Sequence, residues 1–209
     1  MELKRMTRRK GTGIKITLAV WLLVMCCLGA RATVSGIEAR LSLLSGLFNF
    51  RQAEFREIYG QLPLFGLSLD LYTKSNLGLE AGIFRYSGRG ETITLEGEPA
   101  VYPVKFYRWC FPLLLKYRLK TGRFQVSAGA GPAFSVYDES WVGVDLSYHG
   151  QKVHFRVELA AEILLTRKIY LRAGLTWDSI ATGARSLLLG GDPVRLDGLS
   201  LGGGLGYVF

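Results

Sequence analysis

From about residue 36 to its last residue the chain alternates apolar and polar side chains at every second position, and nothing else in it limits the fold so strongly. Only an extended strand sends neighbouring side chains to opposite faces. Eight segments carry the pattern: 36–45, 62–73, 77–88, 102–119, 124–137, 151–165, 169–180 and 197–209. One face reads Ile37, Ala39, Leu41, Leu43, then Leu67, Leu69, Leu71, then Leu77, Leu79, Ala81, Ile83, and goes on through Val126, Val153, Phe155, Val157, Leu159, Leu171, Leu175, Leu201 and Leu205. No ionisable residue interrupts these runs. In the fourth segment the same face carries Tyr107, Trp109, Phe111, Leu113, Leu115 and Tyr117.

The opposite face holds Glu38, Arg40, Asp70, Glu80, Arg108, Lys116, Arg118, Arg156, Glu158, Glu162, Arg172 and Asp178, with Gly, Ser and Thr between them. Six are basic and six acidic, so every ion has a possible partner, which buried charges require. A soluble eight-stranded barrel would hide the apolar face and show the charged one to water. A membrane barrel is inverted. Twelve charges at would-be core positions argue for the inverted arrangement.

The connections alternate in length. Lys74–Asn76, Lys120–Arg123 and Thr166–Lys168 are tight polar turns, whereas 46–61, 89–101, 138–150 and 181–196 are long. Short turns on one rim, long loops on the other and an even strand count are the layout of an outer-membrane barrel, and aromatic residues at both ends of a strand suit its interfacial girdles. Tyr107, Trp109, Tyr117 and Trp177 are the expected girdle. Glu54, Phe55, Ile58 and Tyr59 have helical spacing in the first long connection, which predicts a short amphipathic helix lying at the membrane surface. Loop charges such as Arg89, Glu91, Glu96, Glu98, Asp138, Glu139 and Asp192 are mixed in sign and read as a solvated face.

The formal charge of +9 suggests an anionic partner until its location is considered. Residues 1–32 hold seven basic residues against the single Glu2, followed by an apolar run from Ile16 to Leu28 and then Ala30-Arg31-Ala32. This is the layout of a signal peptide, a short helix removed by cleavage after Ala32, and the apolar run is too short to span a bilayer. The charge is therefore no argument for nucleic acid. Cleavage leaves Cys110 as the one thiol of a mature domain over 33–209, so no disulfide is expected within it.

The last segment, Gly198 to Phe209, alternates large apolar with tiny residues and ends on Tyr207 and Phe209, two rings on one face. Such a strand can be captured by strand addition to an insertion machinery, the backbone giving affinity and the rings specificity. Together with Glu54-Phe55-Arg56-Glu57-Ile58-Tyr59-Gly60, Asn76-Leu77-Gly78-Leu79, the stretch from Trp109 to Pro112-Leu113, Tyr117-Arg118 and Ser127-Ala128-Gly129-Ala130-Gly131, this ending resembles the outer-membrane protein β-barrel domain family, the small porin-like group with OmpA-type and OmpX-like members. The resemblance covers the mature chain and implies an all-β, eight-stranded, antiparallel up-and-down transmembrane barrel in a Gram-negative outer membrane. Pro112 departs from it. A proline within a closed barrel removes a ladder donor, and a bulge there would flip the faces assigned to Lys116 and Arg118.

No catalytic, cofactor or metal site is expected. Ser147, His149, Asp178 and Ser179 could meet at the outer rim as a lipid-A acyl hydrolase or transferase would need, but no motif joins them. His154 reads as a hydrogen-bonded structural residue, and two histidines with one cysteine give no zinc cluster. The leading expectation is a monomeric barrel with a salt-bridged, closed lumen, surrounded by outer-membrane lipid, whose role is structural, adhesive or carried by four long loops. The alternatives are a narrow porin for small solutes and the lipid-A-modifying enzyme.

Overall fold

A computed structural model describes residues 36–94, 100–143, 147–185 and 193–209. The expected signal peptide over 1–32 and the loop charges Glu96, Glu98 and Asp192 lie outside the described residues. The elements run β1 Glu38–Phe50, α1 Ala53–Tyr59, β2 Gln61–Tyr72, β3 Leu77–Thr94, β4 Ala100–Thr121, β5 Phe124–Trp141, β6 Ser147–Leu164, β7 Ile169–Ser179, β8 Ala181–Arg185, β9 Pro193–Arg195 and β10 Gly198–Val208. Strands β1 to β7 pair each with the next, and β10 closes the barrel between β7 and β1. Every pairing is antiparallel. The eight expected strands are all present, so the all-β, eight-stranded, up-and-down fold is the one observed.

The tight turns have local causes. Asn76 takes a left-handed φ of 64° between β2 and β3, where Thr73 Oγ1 donates to the Leu77 carbonyl at 2.9 Å. Gly122, at φ 61°, serves between β4 and β5. At the other rim the β3–β4 ladder climbs to Thr94↔Ala100 and the β5–β6 ladder to Ser140↔Ser147, so those hairpins extend well past the 89–101 and 138–150 limits read as loops.

The register at Pro112 is unbroken. Ala81 pairs with Leu113 and Phe84 with Cys110, a constant offset across the proline, and Pro112 itself faces Ala133 on β5. No bulge flips the parity, and Lys116 and Arg118 point inward, where they are buried. The outward face is apolar as the alternation requires: Leu43, Leu115, Val153 and Leu201 are between 65% and 67% exposed. Phe111 keeps its outward register opposite Phe134 but is not exposed there, and neither are Ala39, Leu69 and Ala81 of the expected outward set. The Phe111 ring lies 6.4 Å from that of Phe134.

Three further expectations need correction. Strand β1 does not end at 45 but continues to Phe50, because Phe48 and Phe50 keep the inward parity of Arg40 and Ser42. The stretch 181–196 contains the short β8–β9 hairpin rather than loop alone. Helix α1 exists where its spacing predicts, but its apolar side does not lie on a membrane surface. Phe55 and Tyr59 are buried against the mouth of the barrel, their rings 5.2 Å from Phe50 and 5.5 Å from Phe106.

Candidate functional site

The lumen is packed in layers, each supplied by neighbouring strands through the period-2 rule. Nearest the tight turns, Glu38 of β1 accepts from Arg40 Nε at 2.5 Å, from Arg118 at 2.5 Å and from Lys120 at 2.9 Å. Arg40 also pairs with Glu162 of β6, and the Arg118 guanidinium sits 3.8 Å from the centre of the Tyr72 ring. Glu38 is the one member of the predicted set that is only partly buried, at the barrel's lower edge.

The middle layer is a five-membered knot. Lys116 Nζ donates to Asp70 at 2.9 Å, Glu80 at 2.7 Å and Glu158 at 3.0 Å. Arg172 spans the same three carboxylates, at 2.8 Å from both Asp70 and Glu80 and in contact with Glu158. Three acids face two bases here. The next layer has the opposite surplus: Asp178 accepts from Arg108 at 2.5 Å and lies 3.8 Å from Arg156. The two surpluses are adjacent, and Glu158 is within electrostatic reach of Arg156. The interior is thus neutral across layers rather than within each one.

Above the charges the lumen is aromatic. Phe48, Phe50, Phe84, Tyr86, Phe106 and Tyr137 form one cluster with Phe55 and Tyr59 of α1 and with Ile180, Val194 and Leu196 around the β8–β9 hairpin. The guanidiniums beneath touch its lower surface, Arg108 at 4.5 Å from the Tyr86 ring and Arg156 at 4.6 Å from that of Phe84. Glycines on adjoining strands make room for the rings: a Cβ on Gly66 would stand 2.2 Å from Phe84, and one on Gly150 2.2 Å from Tyr137. The cap is stitched down by a backbone bond from Arg51 N–H to the Asp197 carbonyl at 2.9 Å and by the Arg195 N–H donating to the Gln52 side-chain Oε1 at 2.8 Å. Burial, reinforced by the charge of Glu139, pushes the Tyr59 phenol far above its ordinary range, so the cap presents a neutral hydroxyl.

The sequence reading missed this aromatic half, although parity points to it. Phe48 and Phe50 follow Arg40 in step, Phe84 and Tyr86 follow Glu80, and Phe106 precedes Arg108. It also missed a convergence of β4, β6 and β7. Cys110, His154 and Asp178 bring one potential ligand atom each to within 4.8 Å of one another. Two guanidiniums occupy the same space, however: Arg156 donates to Cys110 Sγ at 3.1 Å and Arg108 holds Asp178. A cation added there would meet two fixed positive charges in a medium that screens them weakly, so the trio fits an ion-pair layer and not a metal centre. His154 Nε2 is 2.9 Å from Ser135 Oγ.

The rim constellation is not assembled. His149 sits on the outside of β6, paired with Asp138, while Asp178 is fully buried under Arg108. Tyr107 and Trp109 flank the upper margin of the outer face of β4 and Tyr117 its lower margin, with Trp177 on β7 and with Tyr207 and Phe209, rings 5.1 Å apart, at the end of the chain.

No protein-family model and no curated protein matches the sequence. Solved structures do match by shape. Neisserial surface protein A shares 14% identity at a TM-score of 0.53, over 84% of this chain and 98% of that one. The outer membrane protein OprG from Pseudomonas aeruginosa shares 15% at 0.60, over 83% and 96%. A major outer membrane protein from Thermus thermophilus shares 12% at 0.53, over 82% and 99%. What the chain has in common with these three proteins is the fold, a small closed antiparallel barrel.

Proposed function

We propose that the chain is an exported integral outer-membrane barrel, freed of residues 1–32, whose lumen is closed and whose function is carried by its loop end as a structural or adhesive scaffold. The inversion of polarity carries this reading: the buried positions of the wall hold Arg40, Arg108, Lys116, Arg156 and Arg172, while Leu43, Leu115, Leu159, Leu201 and Leu205 stand exposed on the outer face. Water outside would leave the apolar band uncovered, and lipid outside covers it. In this reading Tyr207 and Phe209 form the strand-end signal read by the insertion machinery. Tyr107, Trp109, Tyr117 and Trp177 ride at the two interfaces, and the barrel is a monomer in outer-membrane lipid. The aromatic cluster and α1 stand across the path a solute would take, which weighs against a porin. The burial of Asp178 away from His149 weighs against a lipid-A hydrolase.

Electrophoretic mobility and fractionation test the proposal. The folded protein should migrate differently before and after boiling in detergent and should partition with the outer membrane. Identical migration together with recovery in the soluble periplasm would overturn it.

A further inference from the structure

The outward face of β3 does not end at Ile83. It continues through Arg85, Ser87, Arg89 and Glu91, which stand opposite Trp109, Tyr107, Lys105 and Pro103 of β4. Arg89 and Lys105 are therefore like charges placed directly across from one another, an arrangement that weakens a strand pair unless something answers it. Among the described residues none of Arg85, Arg89 and Lys105 has a carboxylate within salt-bridge distance. The acids nearby are otherwise placed: Glu91 lies one outward position farther from the band, and Asp138, across from Tyr107 on β5, is paired with His149. Arg85 is held between two rings, 5.6 Å from that of Tyr107 and 5.7 Å from that of Trp109.

Height on the barrel gives the cluster its meaning. Tyr117 and Tyr107 are ten residues apart on β4, which at about 3.3 Å per residue and about 40° of tilt separates them by about 25 Å, the height of a membrane barrel's apolar band. If Tyr117 marks one interface, Tyr107 and Trp109 mark the other. Arg85 then sits at the boundary, and Arg89 and Lys105 just beyond it, at the depth of lipid head groups in the loop-side leaflet.

We propose that Arg85, Arg89 and Lys105 form a binding site on the barrel's outer wall for the phosphate of a membrane glycolipid, lipid A being the occupant this leaflet would supply. Arg89 and Lys105 grip the phosphate from two strands, so the anion relieves their mutual repulsion. Arg85, steadied by the Tyr107 and Trp109 rings, covers the junction of head group and acyl chains. The proposal rests on the outer-membrane reading above, which fixes which leaflet meets this rim.

The test is native mass spectrometry of the purified mature protein in detergent, titrated with diphosphoryl lipid A, with its dephosphorylated form and with inorganic phosphate. The phosphorylated lipid should bind at least tenfold more tightly than the dephosphorylated one. Arg89→Gln combined with Lys105→Gln should abolish that preference, whereas Lys74→Gln combined with Arg167→Gln, at the opposite rim, should leave it intact. Equal binding of the two lipids, an unaltered preference in the Arg89/Lys105 variant, or displacement of the lipid by millimolar inorganic phosphate would overturn the site. The boiling-dependent mobility shift is recorded on the same samples. If the shift persists while the preference is absent, the lipid site alone fails; if the shift is itself absent and the protein is recovered in the soluble periplasm, the membrane reading fails with it.

Discussion

Toward the tight turns the lumen is held by ion pairs, with the rings of Tyr72 and Tyr170 set among them, and toward the loops by an aromatic cluster, the Arg108–Asp178 pair lying where the two meet; the two halves hold the barrel together in different ways. In the lower half, Lys116 and Arg172 are shared among Asp70, Glu80 and Glu158, so removing one base leaves three acids crowded on the other. In the upper half, Phe50 touches Phe48, Phe55, Tyr59 and Phe106, and removing one ring leaves the others able to shift toward the gap. Charge pairing at this depth is close to all-or-none because an uncompensated ion has no water to turn to. Apolar packing is graded, its cost set by how far the neighbours relax.

Emptying the middle layer should have the largest effect. Arg172→Met together with Lys116→Met leaves three carboxylates without a base and should prevent recovery of any band with folded mobility after refolding into detergent. Arg172→Met alone should cost about 3–5 kcal/mol in urea denaturation. A loss under about 1 kcal/mol would mean the ionic half is as forgiving as the aromatic one. Phe50→Ala should cost about 3 kcal/mol and should also raise the rate at which a thiol reagent reaches Cys110, which is fully buried in the intact protein. An unchanged labelling rate would place the seal elsewhere.

Smaller effects are expected at the edges of the two halves. A Cβ at Gly90 would stand 2.0 Å from the Ile58 carbonyl oxygen, so Gly90→Val should lift α1 from the mouth. That substitution should cost about 1–3 kcal/mol and open residues 53–59 to proteolysis without altering the lower half. At the other extreme, Lys120 is 39% exposed where it meets Glu38. Solvent screens that pair, and Lys120→Ala should lower the unfolding free energy from urea denaturation by no more than about 1 kcal/mol.

Much of this was legible from residue order because a strand's parity is local. Once Arg40, Asp70, Glu80, Arg156 and Arg172 were placed on one side, their burial followed from closing the sheet, and the unbroken register at Pro112 extended the rule to Lys116 and Arg118. Register, by contrast, is non-local. Which acid meets which base, and that Cys110, His154 and Asp178 converge, depends on how four strands slide past one another. The seat of α1 was hidden for a related reason: Phe55 and Tyr59 form an apolar stripe that suits a lipid surface as well as a ring of phenylalanines. Only the presence of Phe50 and Phe106 at the barrel mouth decides between them. Arg85 went unread, and Arg89 reads only as a solvated loop charge, because the outward run of β3 is closed at Ile83, two residues before it changes character.

In the proposed reading both halves together close the lumen, and planar-bilayer recording of the purified, folded protein tests that directly. A salt-bridged floor beneath an aromatic seal predicts a flat baseline, with discrete steps appearing only in a variant such as Phe50→Ala combined with Arg108→Ala that thins both layers. Regular, uniform conductance steps from the unaltered protein would contradict it.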